Sequence, residues 1–305
     1  MDGGSGVNRG SEGAAWPLAA PNGSVPPVRR DPARAAAGEN FPVVGRLARG
    51  PRAAAVRRFY AFARAADDVT DDPTATPAAK LAALDGFGRG LHQASGVPEA
   101  EALRTALAPL PQGERATREA AALLGAFRQD ARGARYPDWA ALMAYCAQSA
   151  APVGRFLLAV HDEGREAERF SDPLCAALQV LNHIQDLRAD RDRLARIYLP
   201  ADMLAAAGAS AAALGAPRTD PALRRAVDGA LDRCDALLGE AAPLGGAIRS
   251  RSLRAQAAAT WWLGRRLSQR LRRGDPLARR VAPTRIDFAR AGLRGVLAAA
   301  RGPAR

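Results

Sequence analysis

Residues 59–73, FYAFARAADDVTDDP, place four aspartates within six positions of a segment that is otherwise apolar and alanine-rich. Four side chains recur at spacings of four, three and four residues, which on a helix places them in one stripe: Tyr60, Arg64, Asp67 and Asp71. Carboxylates one turn apart repel each other, and this costs folding free energy unless positive charge lies among them. The fold must therefore bring a cation to this helix.

A second polar stripe follows in residues 178–200, LQVLNHIQDLRADRDRLARIYLP. Its members are spaced three, four and four residues apart: Gln179, Asn182, Asp186 and Asp190. Two such helices facing each other would surround a pocket with oxygen ligands of the kind that Mg²⁺ prefers and shares with substrate phosphates. Arg64 and Arg196 could bind the remaining phosphate oxygens. Either segment alone could be a solvated helix face, but the matching pair favours a magnesium site.

Composition predicts an all-helical protein, because β-branched runs with alternating polarity are scarce and apolar residues recur every three or four positions between Gly and Pro breaks. Residues 1–38 are rich in Gly, Pro, Ser, Ala and Arg and are predicted to be a disordered leader, with one folded domain over residues 39–300. The chain shows neither a signal-peptide pattern nor a strongly apolar membrane-spanning run. Its three widely separated cysteines indicate a reducing compartment, so a cytoplasmic location is expected.

The formal charge of +13 raises the question of an acidic partner. Lys80 is the one lysine, and the arginines are spread along the chain without a recognisable nucleic-acid motif. We therefore expect no nucleic-acid partner. A positive surface next to anionic lipid or a diphosphate substrate fits the charge better.

A third segment, residues 145–160 (YCAQSAAPVGRFLLAV), is a helix of small side chains that could pack closely or leave room for a ligand. Together the three segments resemble the squalene/phytoene synthase family over residues 39–295. The first matches the family pattern Y-x-x-x-R-x-x-D-x-x-x-D, and Tyr145 to Gly154 match Y-C-x-x-x-A-x-x-V-G. Gln179 to Pro200 match Q-x-x-N-x-x-x-D-x-x-x-D followed by R-x-Y-x-P.

Within that family, several short sequences resemble the hydroxysqualene synthase branch of the hopanoid pathway. They are ENFPV at 39–43, AFRQD at 126–130 followed by RYPDW, APVGRF at 151–156 and NHIQD at 182–186. The resemblance implies that presqualene diphosphate loses diphosphate and that water traps the cation as hydroxysqualene. It also leaves open peripheral contact with the inner face of the membrane and association with other enzymes of the pathway.

The resemblance implies the class I isoprenoid synthase fold, an all-α bundle of helices around a central cavity. It implies magnesium bound by Asp67, Asp71, Asn182, Asp186 and Asp190, with Gln179 in a supporting position. It implies that the substrate diphosphate contacts Tyr60, Arg64, Arg196 and Tyr198.

Two side chains keep more than one interpretation. Tyr145 is either a group that steers the cation or a proton, or a packed tyrosine. His183 follows Asn182 and is expected to point about 100° away from the stripe, where it would bond Tyr145, position the water, or serve as a structural histidine.

Two rival functions also remain. One is a condensing prenyltransferase that makes squalene or phytoene head to head. The other is a non-catalytic scaffold, which would be expected to have lost metal-binding aspartates.

Overall fold

The structure, a computed structural model, describes residues 50–301, all of which belong to one unit, Asn40–Arg305. The predicted leader and the ENFPV sequence lie outside the described residues. Within 50–301 the chain forms thirteen α-helices and two short 3₁₀ turns, Arg165–Ala167 and Ala211–Gly215, and no strand. The helices are α1 Pro51–Asp71, α2 Pro77–Gly90, α3 Pro98–Leu107, α4 Gly113–Ala131, α5 Trp139–Ser149, α6 Ala151–Val160, α7 Glu168–Gln185, α8 Leu187–Leu194, α9 Ala201–Ala206, α10 Pro221–Glu240, α11 Leu244–Ala247, α12 Arg251–Arg273 and α13 Arg285–Arg301.

Many helices begin where the sequence supplies a proline or a capping side chain. Proline occupies the first turn of α1, α2, α3, α6 and α10, where its missing N–H costs no helical hydrogen bond. Side chains cap four helices by accepting a backbone N–H of the first turn: Thr76, Asp138, Asp220 and Ser250. The predicted all-helical fold is confirmed. Local signals in the sequence explain where many of its helices begin.

Two apolar clusters support the helices that carry the polar stripes. The first contains side chains of α1, α2, α3, α4 and α6. In it Phe59 of α1 stacks on Phe156 of α6 with ring centroids 3.8 Å apart. The second is formed mainly by α5, α7, α10 and α12. The polar face of α1 and the C-terminal half of α7 are thus each held from behind by packed side chains.

The second stripe runs over two helices instead of one. Helix α7 ends at Gln185 and α8 begins at Leu187, with Asp186 at the junction (φ −106°, ψ 16°). The N–H of Asp186 still donates to the carbonyl of Asn182, and the N–H of Asp190 to that of Asp186, so the four-residue spacing survives the junction. Helix α8 ends at Leu194, and the left-handed φ of 52° at Ala195 turns the chain so that Arg196 leaves the helix.

The last helix, α13, lies on α12 and is fixed at its start by Asp287, a carboxylate that is 1% exposed. It accepts hydrogen bonds from the backbone N–H and the hydroxyl of Thr284, both at 2.9 Å, and from Arg266 (3.2 Å) and Arg270 (2.7 Å). Burial alone would raise the pKa of Asp287, but these hydrogen bonds lower it to about 2 from an ordinary 3.8.

The depressed pKa of Asp287 predicts a pH dependence of stability. A folded-state pKa below the unfolded value contributes stability above the unfolded pKa, and this stability is lost as the pH falls through the folded pKa. We expect Asp287→Asn to lower the free energy of unfolding near pH 7 by about 2 kcal/mol, and the deficit to shrink between about pH 4 and pH 2. Urea denaturation across this range measures it. Asp232→Asn is the control, since Asp232 pairs with Arg272 but its side chain is 71% exposed. A deficit for Asp287→Asn independent of pH would contradict the expectation.

None of the helices in the described part of the chain is both long enough and apolar enough to cross a bilayer.

Candidate active site

Arginine lies among the carboxylates of the first stripe. Arg64 donates to Asp67 (3.1 Å) and to Asp68 (2.8 Å), and Arg196 donates to Asp71 (2.8 Å). Burial and the neighbouring carboxylate of Asp71 nevertheless hold the pKa of Asp67 well above its ordinary value. The two arginines therefore offset the repulsion between Asp67 and Asp71 only in part.

Tyr60 lies on the same helix, one turn before Arg64, and is half-buried. Burial lowers the pKa of Arg64, but the charges of Asp67 and Asp68 raise it by more, and the phenol group of Tyr60 raises it further. The structure thus brings Tyr60, Arg64, Asp67 and Asp71 into one group, as the spacing predicted, and adds Arg196 from the chain after α8.

The second stripe divides between two sets of contacts. The imidazole Nδ1 of His183 lies 3.5 Å from Asp190, and its Nε2 lies 3.2 Å from the side-chain amide nitrogen of Gln179. Asp186 instead accepts from Arg280 at 2.9 Å. Asn182 is half-buried one turn before Asp186 and accepts its N–H through the main chain.

The expected orientation of His183 was wrong. It follows Gln179 by four residues and precedes Asp190 by seven, and both spacings align side chains on one helix face. The expectation rested only on the one-residue offset between Asn182 and His183, which does not indicate this alignment. Of the alternatives left open for His183, the hydrogen bond to Tyr145 is not the one observed: its two ring nitrogens face Asp190 and Gln179, and the Tyr145 hydroxyl donates to Asp130 at 2.8 Å.

Asp130, on the last turn of α4, contacts two tyrosines beside the stripes, and no sequence spacing indicated a role for it beyond marking a branch of the family. It accepts from Tyr145 and, at 3.3 Å, from the hydroxyl of Tyr198. Burial raises the pKa of Asp130, while the nearby charge of Arg196 and the bond from Tyr145 act in the other direction. A carboxylate at a helix C-terminus is disfavoured by the helix dipole, and this mismatch is the signal by which the residue could have been found.

Aromatic rings enclose this carboxylate. His183 stacks on Tyr198 with ring centroids 3.4 Å apart, and Tyr136 stacks on the same ring at 5.6 Å. The hydroxyl of Tyr136 is buried and has no hydrogen-bond partner within residues 50–301. Behind His183 and Tyr198 lies an internal space of about 10 Å³ whose remaining lining is aliphatic. Polar groups therefore border an apolar interior at this point.

A cationic cleft of about 500 Å³ opens beside the second stripe. Five arginines line it, from the end of α12 and the loop that follows: Arg266, Arg270, Arg273, Arg279 and Arg280. Arg280 joins the cleft to Asp186, whereas Arg266 and Arg270 are bound to Asp287. The sequence motifs did not indicate Arg280 either, because it lies 94 residues from its partner Asp186.

The side chains fit a magnesium ion by their chemistry more than by their present arrangement. Among residues 50–301 no three acidic, imidazole or thiol side chains come together as a metal-binding group. Asp71 and Asp186 are instead paired with Arg196 and Arg280. The donors on both stripes are nevertheless oxygens, and the uncompensated repulsion at Asp67 and Asp71 favours a hard cation.

The comparison with known proteins decides the family. Residues 34–287 match the sequence pattern of the squalene/phytoene synthases. The chain belongs to the squalene/phytoene synthase family. Two relatives within it are hydroxysqualene synthases: that of Rhodopseudomonas palustris is 39% identical, covering 82% of this chain and 85% of the relative, and that of Zymomonas mobilis is 38% identical, covering 86% and 88%.

Solved structures of the squalene/phytoene synthase family share the fold. The squalene synthase HpnC of Alicyclobacillus acidocaldarius superposes with a TM-score of 0.64 at 32% identity, covering 74% of this chain and 85% of that one. A ligand complex of a dehydrosqualene synthase superposes with a TM-score of 0.68 at 20% identity, covering 80% and 86%, a likeness of fold alone. The predicted family and fold class are confirmed, and the roles of individual residues stay predictions.

Proposed function

We propose that this member of the family converts presqualene diphosphate and water into hydroxysqualene and diphosphate, with Mg²⁺ as cofactor. The observation that carries the proposal is the position of Arg196, which binds Asp71 of the first stripe and lies beside Asp130, whose partner Tyr198 borders an apolar interior. Leaving-group binding and cation quenching thus meet at one place. The relatives named hydroxysqualene synthase, at 36–39% identity, support the same reaction.

Magnesium would be held by Asp67 and Asp71 on one side and by Asn182, Asp186 and Asp190 on the other, with Gln179 acting through His183. When bound, the metal neutralises charge that develops on the leaving diphosphate. Arg64 and Arg196 are released from their carboxylates to bind diphosphate oxygens, with Tyr60 as a neighbouring hydroxyl donor. The hydroxyl of Tyr198, expected from the resemblance to contact diphosphate, donates to Asp130 instead.

The reaction breaks the bond between carbon and the diphosphate oxygen, and the electron pair leaves with diphosphate. The carbocation rearranges, and a water oxygen then forms the new carbon–oxygen bond and passes one proton to the released diphosphate. Burial holds the pKa of Tyr145 and of Tyr198 above the ordinary value, so both hydroxyls stay protonated and present an oxygen dipole. Asp130 fixes their orientation and adds negative charge near the cation. It is a positioning residue, because it contacts the tyrosines and not the reacting atoms.

The apolar side of the site protects the cation from stray nucleophiles. Leu142 and Ile184 line the small space behind His183. That space is far below the several hundred Å³ of a typical ligand pocket, so the prenyl chains enter as α5 and α7 side chains move apart.

A condensing prenyltransferase is the rival within the family, and the substrate separates the two. The purified chain is incubated with Mg²⁺ and either farnesyl diphosphate or presqualene diphosphate, and products are identified by mass spectrometry. We expect hydroxysqualene from presqualene diphosphate, no consumption of farnesyl diphosphate alone, and no turnover after chelation by EDTA. Consumption of farnesyl diphosphate alone would establish the rival, and no turnover of either would favour the scaffold.

A further inference from the structure

The last helix exposes an apolar surface that nothing in the described part of the chain covers. All five exposed large hydrophobic side chains of residues 50–301 lie on α13: Ile286 (63% exposed), Phe288 (38%), Leu293 (62%), Val296 (66%) and Leu297 (47%). On a helical wheel Ile286, Leu293 and Leu297 fall within an arc of about 40°, with Val296 next to them. These four residues form the α13 apolar face.

The opposite side of α13 is already committed to α12. Its buried positions are Asp287, Ala291 and Gly295, which follow one another at intervals of four. A Cβ at Gly295 would lie 2.7 Å from the carbonyl oxygen of Ala255 on α12, so the two backbones are in close contact. The hydrogen bonds to Asp287 fix the helix further. Helix α13 therefore cannot turn its apolar face inward without losing this contact.

The charges around the face have one sign. The one acid of α13, Asp287, is buried and bonded, whereas the helix carries four arginines: Arg285, Arg290, Arg294 and Arg301. Three of them, Arg290, Arg294 and Arg301, form a row along one edge of the apolar face. An apolar stripe bordered by arginine is the pattern of a helix that lies in the interface of an anionic bilayer.

We propose that the α13 apolar face docks this protein onto an anionic lipid surface. The exposed apolar side chains enter the boundary between head groups and acyl chains, and the arginine row contacts lipid phosphates. A second copy of the chain fits less well, because an antiparallel two-fold contact through this face would bring the two arginine rows together. The inference is independent of the proposed reaction, since it rests on the surface of α13 alone.

The test is flotation of the full-length protein with vesicles. We expect binding to vesicles in which about a third of the lipid is phosphatidylglycerol, none to pure phosphatidylcholine, and weaker binding as salt is raised. Leu293→Ser with Val296→Ser should lower the partition coefficient at least about tenfold, whereas Leu293→Ile with Val296→Ile should keep it. Arg290→Gln with Arg301→Gln should lower it by about tenfold.

The matched control for charge is Arg89→Gln with Arg118→Gln, two exposed arginines on α2 and α4, which should change binding by less than about twofold. The proposal is overturned if the wild-type protein does not bind anionic vesicles. It is also overturned if the Leu293→Ser/Val296→Ser and Arg290→Gln/Arg301→Gln variants bind as the wild type does. A wild-type oligomer that Leu293→Ser with Val296→Ser dissociates, measured by light scattering, would assign the face to a second copy instead.

Discussion

Asp67→Asn is expected to lower kcat/KM by about a thousandfold, because it removes a carboxylate ligand from the proposed magnesium site, whose charge neutralises the leaving diphosphate. The fold is expected to remain intact. The pKa of Asp67 is raised in the folded protein, so its carboxylate is less favourable there than in the unfolded chain, and a neutral amide of the same size removes that penalty. Thermal melting should therefore be unchanged or shifted slightly upward.

Asp68→Asn is a matched control for this prediction. Asp68 is the next residue on α1 and shares Arg64 with Asp67, but its side chain is 47% exposed and points away from the stripe. Steady-state kinetics at saturating magnesium should leave this variant within about threefold of wild type, as for a surface carboxylate. Near-normal turnover of Asp67→Asn, or equal losses in the two variants, would remove Asp67 from the metal site.

Asp130→Asn is expected to lower kcat by about a hundredfold with little change in KM. The amide keeps the size of the side chain, but the negative charge that faces the cation is lost, and one tyrosine loses its acceptor. Asp172→Asn provides the control, since Asp172 is also partly buried and bound to an arginine, Arg155 of α6. It should keep kcat within about threefold.

A double-mutant cycle distinguishes positioning by Asp130 from a general structural role. If Asp130 acts through Tyr145, then Tyr145→Phe should cost much less in the Asp130→Asn background than in wild type. The ratio of alcohol to hydrocarbon, the latter formed when the cation loses a proton instead of binding water, should fall in both single variants, because the water is less well placed. Strictly additive losses, with the product ratio unchanged, would contradict the role given to Asp130.

The sequence predicts those parts of the site that follow from spacing along a helix. Arg64, Asp67 and Asp71 lie on one face because four- and three-residue intervals fix their directions whatever α1 packs against. The same rule, applied to its separations from Gln179 and Asp190, would have placed His183 correctly. The junction at Asp186 did not disturb the pattern, because the hydrogen bonds on both sides of it persist.

Contacts between distant segments could not be predicted in this way. Arg196 reaches Asp71 across 125 residues and Arg280 reaches Asp186 across 94, and no local period relates either pair. Asp130 gained its partners only when α4, α5 and the chain after α8 came together. Which face of α13 packs depends on the small residues that meet α12.

The origin of the product oxygen tests the central claim most directly. Presqualene diphosphate is turned over with Mg²⁺ in oxygen-18 water, with and without NADPH, and the product is analysed by mass spectrometry. The account predicts hydroxysqualene that carries one oxygen-18 atom, formed at the same rate whether or not NADPH is present. Squalene formed only in the presence of NADPH, or an alcohol without the label, would contradict it.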